Sequence, residues 1–120
     1  KFLGPEEYAT LLSTATGKTF SGDELMVMGR RTHNIEKAFN TLHANFGVQD
    51  DYPPDRFFKE PVKTGPFKGS LFTRHDWQKM LEEYYRLHGW DSKTGLQTEK
   101  VLKELNLPFV LDKLKCAGKI

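Results

Sequence analysis

The stretch Ser21-Gly-Asp-Glu-Leu-Met-Val-Met-Gly-Arg-Arg-Thr-His-Asn-Ile-Glu-Lys-Ala-Phe-Asn-Thr-Leu-His-Ala-Asn-Phe-Gly47 decides the fold class. Ser21 and Glu24 have capping-box spacing: the hydroxyl accepts the amide three residues on, and the carboxylate reaches back. Leu25, Met28, Ile35, Phe39, Leu42 and Phe46 then recur at steps of 3, 7, 4, 3 and 4. That period puts one apolar stripe along one helix. The pattern predicts a helix over 22–46, about six turns long, with Gly47 just past its end. Gly29 costs such a helix up to about 1 kcal/mol relative to Ala and reads as a place where another backbone comes close. The stripe is expected to be the core seam, with Phe39 and Leu42 buried beside Trp77 and Tyr84. On that reading Phe39→Ala costs about 3 to 5 kcal/mol.

Helix punctuation continues on both sides. Pro5 suits a first helical position and Glu6 and Glu7 favour the positive end of the dipole. Tyr8, Leu11, Leu12 and Ala15 keep helical spacing to a stop at Gly17, giving a helix over 5–16. Thr73 and Asp76 repeat the capping-box pattern ahead of Trp77, Met80, Leu81, Tyr84 and Leu87, and Gly89 closes that helix. Thr98 caps a short helix carrying Val101, Leu102 and Leu105. Pro108 opens a last one with Val110, Leu111 and Leu114, ending at Gly118.

Residues 47–72 differ. Pro53, Pro54, Pro61, Pro66, Gly65 and Gly69 break any long helix, leaving one short helical turn near Pro53–Phe58 and weak strand character at Ser70–Phe72. The segment also holds Tyr52, Phe57, Phe58, Phe67 and Phe72, too many aromatics for a disordered linker. It reads as an ordered arm wrapped over the helices or over a surface outside this chain. The fold expected is all-α: four to five helices, one long central helix and a long irregular arm at about 47–72, in a single domain spanning 1–120.

Composition bounds the function classes. The 120 residues hold 18 Lys plus Arg and 16 Asp plus Glu, a net charge of +2, which is no nucleic-acid footprint. A single cysteine, Cys116, excludes an internal disulfide framework and any multi-cysteine metal site within the chain. No apolar run approaches the ~20 residues of a membrane span, and no leader pattern argues for export, so a cytoplasmic protein is expected. The first residue is Lys1, not Met, which suggests a fragment or a processed product.

The candidate chemical residues mostly have structural explanations. His33, His43, His75 and His88 lack metal-motif spacing. His33 and His43, ten residues apart, stand about 80° out of register on one helix. His88 in a last turn suits the helix dipole. Arg30, Arg31, Glu36 and Lys37 read as a solvated helix face. Asn34 lies near the apolar seam, where Asn has poor helix propensity, and is expected to satisfy backbone groups of the arm. Cys116 reads as a small packing residue at a helix C-terminus, an end that does not activate a thiol. Glu82-Glu83 and Tyr84-Tyr85 are neighbours about 100° apart on a helix, so neither pair converges on one atom. Gly17-Lys18-Thr19 lacks the earlier glycine of a phosphate loop and ends a helix instead of opening one. No catalytic, cofactor-binding or metal residue is assigned within the chain.

Several strings nevertheless belong together: Tyr8-Ala-Thr-Leu-Leu-Ser-Thr-Ala-Thr-Gly17, Gly29-Arg-Arg-Thr-His-Asn-Ile-Glu-Lys-Ala-Phe-Asn40, Asp50-Asp-Tyr-Pro-Pro-Asp-Arg-Phe-Phe58, Glu60-Pro61, Gly65-Pro-Phe-Lys-Gly69 and Leu81-Glu-Glu-Tyr-Tyr-Arg-Leu-His-Gly-Trp-Asp91. Their order and spacing resemble the C-terminal end of the aldehyde:ferredoxin oxidoreductase family over about residues 3–115. That family contains tungsten-pterin enzymes and the tungsten subunit of class II benzoyl-CoA reductases. The resemblance implies a helical C-terminal domain of a much larger oxidoreductase. Such a parent holds a tungsten bis-pterin and one [4Fe–4S] cluster and passes electrons from an aldehyde, or a related acyl substrate, to ferredoxin or an electron-transfer subunit. It also implies that the cluster cysteines and the pterin-contacting segments lie upstream of Lys1, and Cys116 matches none of those motifs. The expected partners are the parent's upstream domains, with a homodimer open. The alternative is a stand-alone helical protein-interaction module.

Overall fold

A computed structural model describes residues 3–120 of the chain. Among these residues the structure is all-α, with six helices and no strand. The helices are α1 (Pro5–Thr16), α2 (Gly22–His43), α3 (Arg56–Lys59), α4 (Arg74–His88), α5 (Glu99–Glu104) and α6 (Pro108–Cys116), with a 3₁₀ turn at Val48–Asp51. Helix α3 is the single short turn expected inside the arm, and Ser70–Phe72 forms no strand.

The caps explain the boundaries. The Ser21 hydroxyl accepts the Glu24 amide at 3.2 Å and the Glu24 carboxylate accepts the Ser21 amide at 2.9 Å, closing the box. At Thr73 only half of it forms. The hydroxyl accepts the Asp76 amide at 3.0 Å, but the shorter Asp76 carboxylate takes the hydroxyl itself instead of the backbone. Helix α2 ends three residues before the expected 46, because Asn45 supplies the left-handed residue (φ 55°) assigned to Gly47. Asn tolerates that region through its short polar side chain.

Helices α1 and α2 form a hairpin locked by side chains. Glu6 accepts the Gly22 amide at 3.1 Å, and Ser13 Oγ accepts the Phe20 amide at 2.9 Å. The close-approach glycine is therefore Gly22, where a Cβ would stand 2.3 Å from the Glu6 carboxylate. Gly29 has open space around it.

The core lies at the other end of the molecule. Ala38 of α2, Tyr85 of α4, Trp90, Val101 and Leu102 of α5, Leu105, Leu107, and Val110, Leu111 and Leu114 of α6 form one buried cluster. Here the structure corrects the sequence reading. The buried side of α2 is Gly22, Asn34, Ala38 and Thr41, one position before the apolar stripe. The stripe itself faces outward: Met28, Ile35 and Phe46 are exposed, Phe39 is 61% exposed, and only Leu25 and Leu42 are half-buried. Tyr84 is exposed and Trp77 half-buried. The cost expected for Phe39→Ala does not apply to a side chain so open; in this chain it falls to within about 0.5 kcal/mol of zero.

The molecule is a plate measuring 50 × 44 × 22 Å, with a radius of gyration of 18.2 Å. A compact chain of this length has a radius near 14 Å. Its accessible surface is 8830 Å², whereas a compact monomer of 13.8 kDa exposes about 6,600 Å².

Candidate functional site

The best-built region joins α2 to the segment between α4 and α5. Gly89 leaves α4 in the left-handed conformation (φ 73°). The chain then folds back so that Trp90 pairs with Gln97 in one antiparallel bridge. The Asp91 carboxylate accepts the Thr94 amide (2.8 Å), the Thr94 hydroxyl (2.8 Å) and the Lys93 amide (3.1 Å), and these bonds, those from Thr94 first, hold its pKa below the usual carboxylate range. Gly95 must be glycine: its φ is +68°, and a Cβ would meet the Tyr85 ring at 2.7 Å.

Asn34 presents its carbonyl to this loop. Its Oδ1 accepts Trp90 Nε1 at 3.0 Å and Gln97 Nε2 at 2.8 Å, while Gln97 Nε2 also donates to the Asn34 backbone carbonyl at 2.8 Å. The Asn34 amide donates to the Arg30 carbonyl at 2.9 Å. Asn34 therefore satisfies the 89–98 loop and not the 47–72 arm. Buried polar groups must pair in this way, because each orphan costs about 1 to 3 kcal/mol.

Asp51 ties the arm to the body. Its carboxylate accepts the Tyr85 hydroxyl and pairs with Lys37 Nζ at 3.4 Å, while its backbone carbonyl accepts Trp77 Nε1 at 3.1 Å. Burial first, and then the bond to the Asp51 carboxylate, push the Tyr85 phenol well above its ordinary pKa. Lys37 is only 11% exposed and lies 4.9 Å over the Trp90 ring and 5.8 Å over that of Tyr85. From this anchor the arm runs outward. Phe58 and Phe72 meet Trp77 edge-on at 6.3 and 6.0 Å, and Asp55 pairs with Lys59 and Arg74. Val62 and Gly69 close the distal loop through the bonds Val62 N to Ser70 O and Gly69 N to Val62 O. Of the arm's aromatics Tyr52 and Phe58 are half-buried, whereas Phe57, Phe67 and Phe72 are exposed.

Against Trp90 lies a polar aromatic cleft of about 200 Å³ whose walls include His33, Lys37, Asn40, Asp51 and Tyr84. His33 Nε2 and the Tyr84 hydroxyl share a hydrogen bond of 3.1 Å, and the His33 and His88 rings stand 5.1 Å apart, both stacked on Trp90. Burial, then the His33 and Arg30 charges, lower the His88 pKa. Burial and the nearby Asp51 raise that of Tyr84. Tyr84 thus offers a donating hydroxyl at neutral pH, which suits recognition better than proton abstraction.

The remaining predicted residues scatter. Arg31 is not on a solvated face, since its guanidinium donates to the carbonyls of Leu105 and Asn106 at the end of α5. Lys37 is likewise drawn into the Asp51 pair. His43 sits beside exposed Phe39 and His75 is exposed in the first turn of α4. Cys116 is an exposed thiol, not a packing residue. Glu83 pairs with Arg86, and Glu82 accepts from Gln78. The two tyrosines diverge, Tyr85 inward and Tyr84 outward. The sequence reading missed Asp51, Gln97 and Gly95 as organisers. Their signal was the Asp50-Asp51 pair ahead of Tyr-Pro-Pro and the glycine four residues after Asp91.

Two apolar surfaces remain open. The arm frames an open pocket of about 670 Å³ lined by Phe57, Val62, Phe67 and Phe72 among others, with Phe67 72% exposed. The stripe of α2 is the second, and a groove at Phe20, Val27 and Met28 lies at its N-terminal end. Among the described residues, no three His, Cys, Asp or Glu side chains are grouped so as to hold a metal ion, and no described helix is long and apolar enough to cross a membrane.

The chain is a flat helical plate with aromatic faces uncovered. A sequence profile described as "Aldehyde ferredoxin oxidoreductase, domains 2 & 3" matches residues 1–107. The chain belongs to the aldehyde ferredoxin oxidoreductase family. It is 37% identical over 105 residues to the tungsten-containing aldehyde ferredoxin oxidoreductase of Pyrococcus horikoshii, a match covering 88% of this chain and 17% of the relative. The corresponding protein of Thermococcus kodakarensis is 34% identical over 98 residues, covering 82% of this chain and 16% of that protein. The chain thus spans about a sixth of the length of these relatives. An aliphatic sulfonate oxidoreductase, WOR-like subunit, from Pyrococcus furiosus is 39% identical over 59 residues, covering 49% of this chain and 9% of that one. In three dimensions the chain is similar to part of the active site complex BamBC of benzoyl coenzyme A reductase, solved with 1,5-dienoyl-CoA. The TM-score is 0.76 at 21% identity, covering 98% of this chain and 16% of that chain, which establishes the shared fold.

Proposed function

We propose that residues 1–120 are one helical domain, the C-terminal domain of a tungsten-dependent aldehyde:ferredoxin oxidoreductase, and that the domain serves as a cover on the cofactor-bearing remainder. The observation that carries this reading is the family match across nearly the whole chain together with 37% identity to a tungsten-containing relative. The parent converts an aldehyde and water to a carboxylic acid, releasing two protons and two electrons that pass to ferredoxin or an electron-transfer subunit. A tungsten bis-pterin and one [4Fe–4S] cluster supply the redox chemistry of such a parent, which works in the cytoplasm and is open to homodimerisation. Among the described residues, no three His, Cys, Asp or Glu side chains are grouped so as to hold a metal ion, and no step of the reaction is assigned to this chain. Their part is to seat, shape and seal. The aromatic arm, anchored at Asp51 and Trp77, is one contact surface.

Expression of the full-length parent tests this. Tungsten, iron and aldehyde-dependent reduction of ferredoxin in one purified protein are the expected result. A colourless protein without tungsten or iron overturns the reading.

A further inference from the structure

We propose that the distal half of the arm is a binding site for a small organic acid, an apolar body carrying a carboxylate. The proposal stands apart from the enzyme reading and does not rest on it. The frame of the site comes from the chain's own hydrogen bonds. Val62 N donates to Ser70 O at 3.0 Å and Gly69 N to Val62 O at 2.8 Å, while Lys68 N donates to Gly65 O at 3.2 Å and Ser70 N to Phe67 O at 3.0 Å. Gly65 and Gly69 turn this loop through the left-handed region, at φ 82° and 88°. Phe72 meets Trp77 edge-on, and Trp77 Nε1 is fixed on the Asp51 carbonyl. The walls are thus in place without a ligand.

Wall chemistry chooses the occupant. The pocket's volume of about 670 Å³ falls within the roughly 300 to 1,000 Å³ of small-molecule sites, which combine apolar walls with a few placed polar groups. The apolar side is Phe57, Pro61, Val62, Phe67 and Phe72, which suits a hydrocarbon or aromatic body. The polar side is Arg56, Glu60, Lys63 and Ser70, two cations against one carboxylate. The neighbouring arm cations are already used, since Asp55 takes both Lys59 and Arg74. No ion pair joins Arg56, Glu60 or Lys63 to another of the described residues. The Arg56 guanidinium lies 5.8 Å from the centre of the Phe57 ring, so a donor for the head group stands beside the wall that takes the body. An arginine fork meets a carboxylate through two parallel bonds, and Lys63 adds a second positive charge. A neutral molecule of the same shape leaves both cations unanswered.

The test uses the full-length protein and two probes of one shape, naphthoate and its neutral counterpart naphthylmethanol, titrated by calorimetry at neutral pH. The expected result is saturable naphthoate binding at least about tenfold tighter than that of naphthylmethanol, the size of one hydrogen bond to a charged group. Arg56→Gln should weaken naphthoate about tenfold and leave naphthylmethanol within about threefold. Lys63→Gln should act in the same direction, and Phe67→Ser should weaken both probes by removing part of the apolar wall. All three side chains are exposed, so the variants are expected to keep the fold. If one charge variant fails to accumulate, the other carries the same comparison. Equal affinity for the two probes overturns the proposal. So does the absence of saturable binding, the result if the rest of the protein fills the pocket. Naphthoate binding untouched by all three substitutions also overturns it and assigns the acid to another site. Tungsten and iron content of the same sample report separately on the parent's chemistry: an arm site in a metal-free protein keeps the pocket and removes the enzyme reading, and a metal-loaded protein that binds no naphthoate does the reverse.

Discussion

The two ends of the molecule use apolar side chains in opposite ways. Around α5 and α6, Val101, Leu102, Leu105, Leu107, Val110, Leu111 and Leu114 are all buried, in short helices that close on one another. Across α1, the stripe of α2 and the arm, Tyr8, Leu11, Ile35, Phe39, Phe57, Phe67 and Phe72 are exposed. Both regions have clean helical or turn punctuation, so local structure does not separate them. On the proposed reading, what separates them is where the partner surface lies: within the chain for the first region, outside it for the second. An amphipathic pattern reports that a face is covered in the native protein and leaves open by what.

The comparison breaks first, if it breaks, at Asn34. Asn34→Ala strips the acceptor from Trp90 Nε1 and one of the two acceptors of Gln97 Nε2, leaving Gln97 the backbone carbonyl, and is expected to cost about 2 to 4 kcal/mol by chemical denaturation. A cost under about 0.5 kcal/mol would mean that the 89–98 loop does not depend on α2. Next comes Asp51→Ala at the hinge between the two regions. It removes the acceptor of the Tyr85 hydroxyl and orphans Lys37, and should cost about 1 to 3 kcal/mol. Tryptic cleavage at Lys59, Lys63 and Lys68 should speed up while cleavage at Lys103 changes in proportion to global stability alone. Equal acceleration at all four sites would show that Asp51 does not hold the arm in particular.

A smaller effect is expected at His88. Its pKa is lowered in the folded chain from 6.5 by burial and then by His33 and Arg30. The folded state therefore binds fewer protons there than the unfolded state does. Stability from this group is complete above about pH 6.5 and declines as pH falls through the lowered value. His88→Gln should flatten that decline between pH 7 and 5, as read from urea midpoints. An unchanged slope would assign the acid sensitivity to other groups. Smallest of all is Phe39→Ala in the 120-residue chain, within about 0.5 kcal/mol of zero for a side chain in solvent.

Most of the secondary structure was legible because its signals are local. Pro5 and Gly17 bound α1, Ser21 and Glu24 open α2, Thr98 caps α5 and Pro108 opens α6. The end of α2 was displaced because Asn45 and Gly47 are both competent for the left-handed turn, and nothing local ranks them. Tertiary pairings were not legible. Asn34 is 56 residues from Trp90 and 63 from Gln97, and Arg31 is 74 from Leu105. No periodicity encodes those distances. The outward turn of Phe39 could not be read because the stripe was assigned to the only surface in view, the chain's own. The family resemblance, by contrast, rested on ordered strings such as Tyr84-Tyr85 through Gly89-Trp90-Asp91, and these proved to form the Tyr85–Trp90–Gly95 packing at the heart of the fold.

The most direct test of the account is the unfolding cost of Phe39→Ala measured twice, in the 120-residue chain and in the full-length protein. The account predicts almost no loss in the first and a loss of about 2 kcal/mol or more in the second, where the ring leaves a packed seam. Equal costs in both, large or small, would contradict it, since the stripe would then be either core already or solvent still.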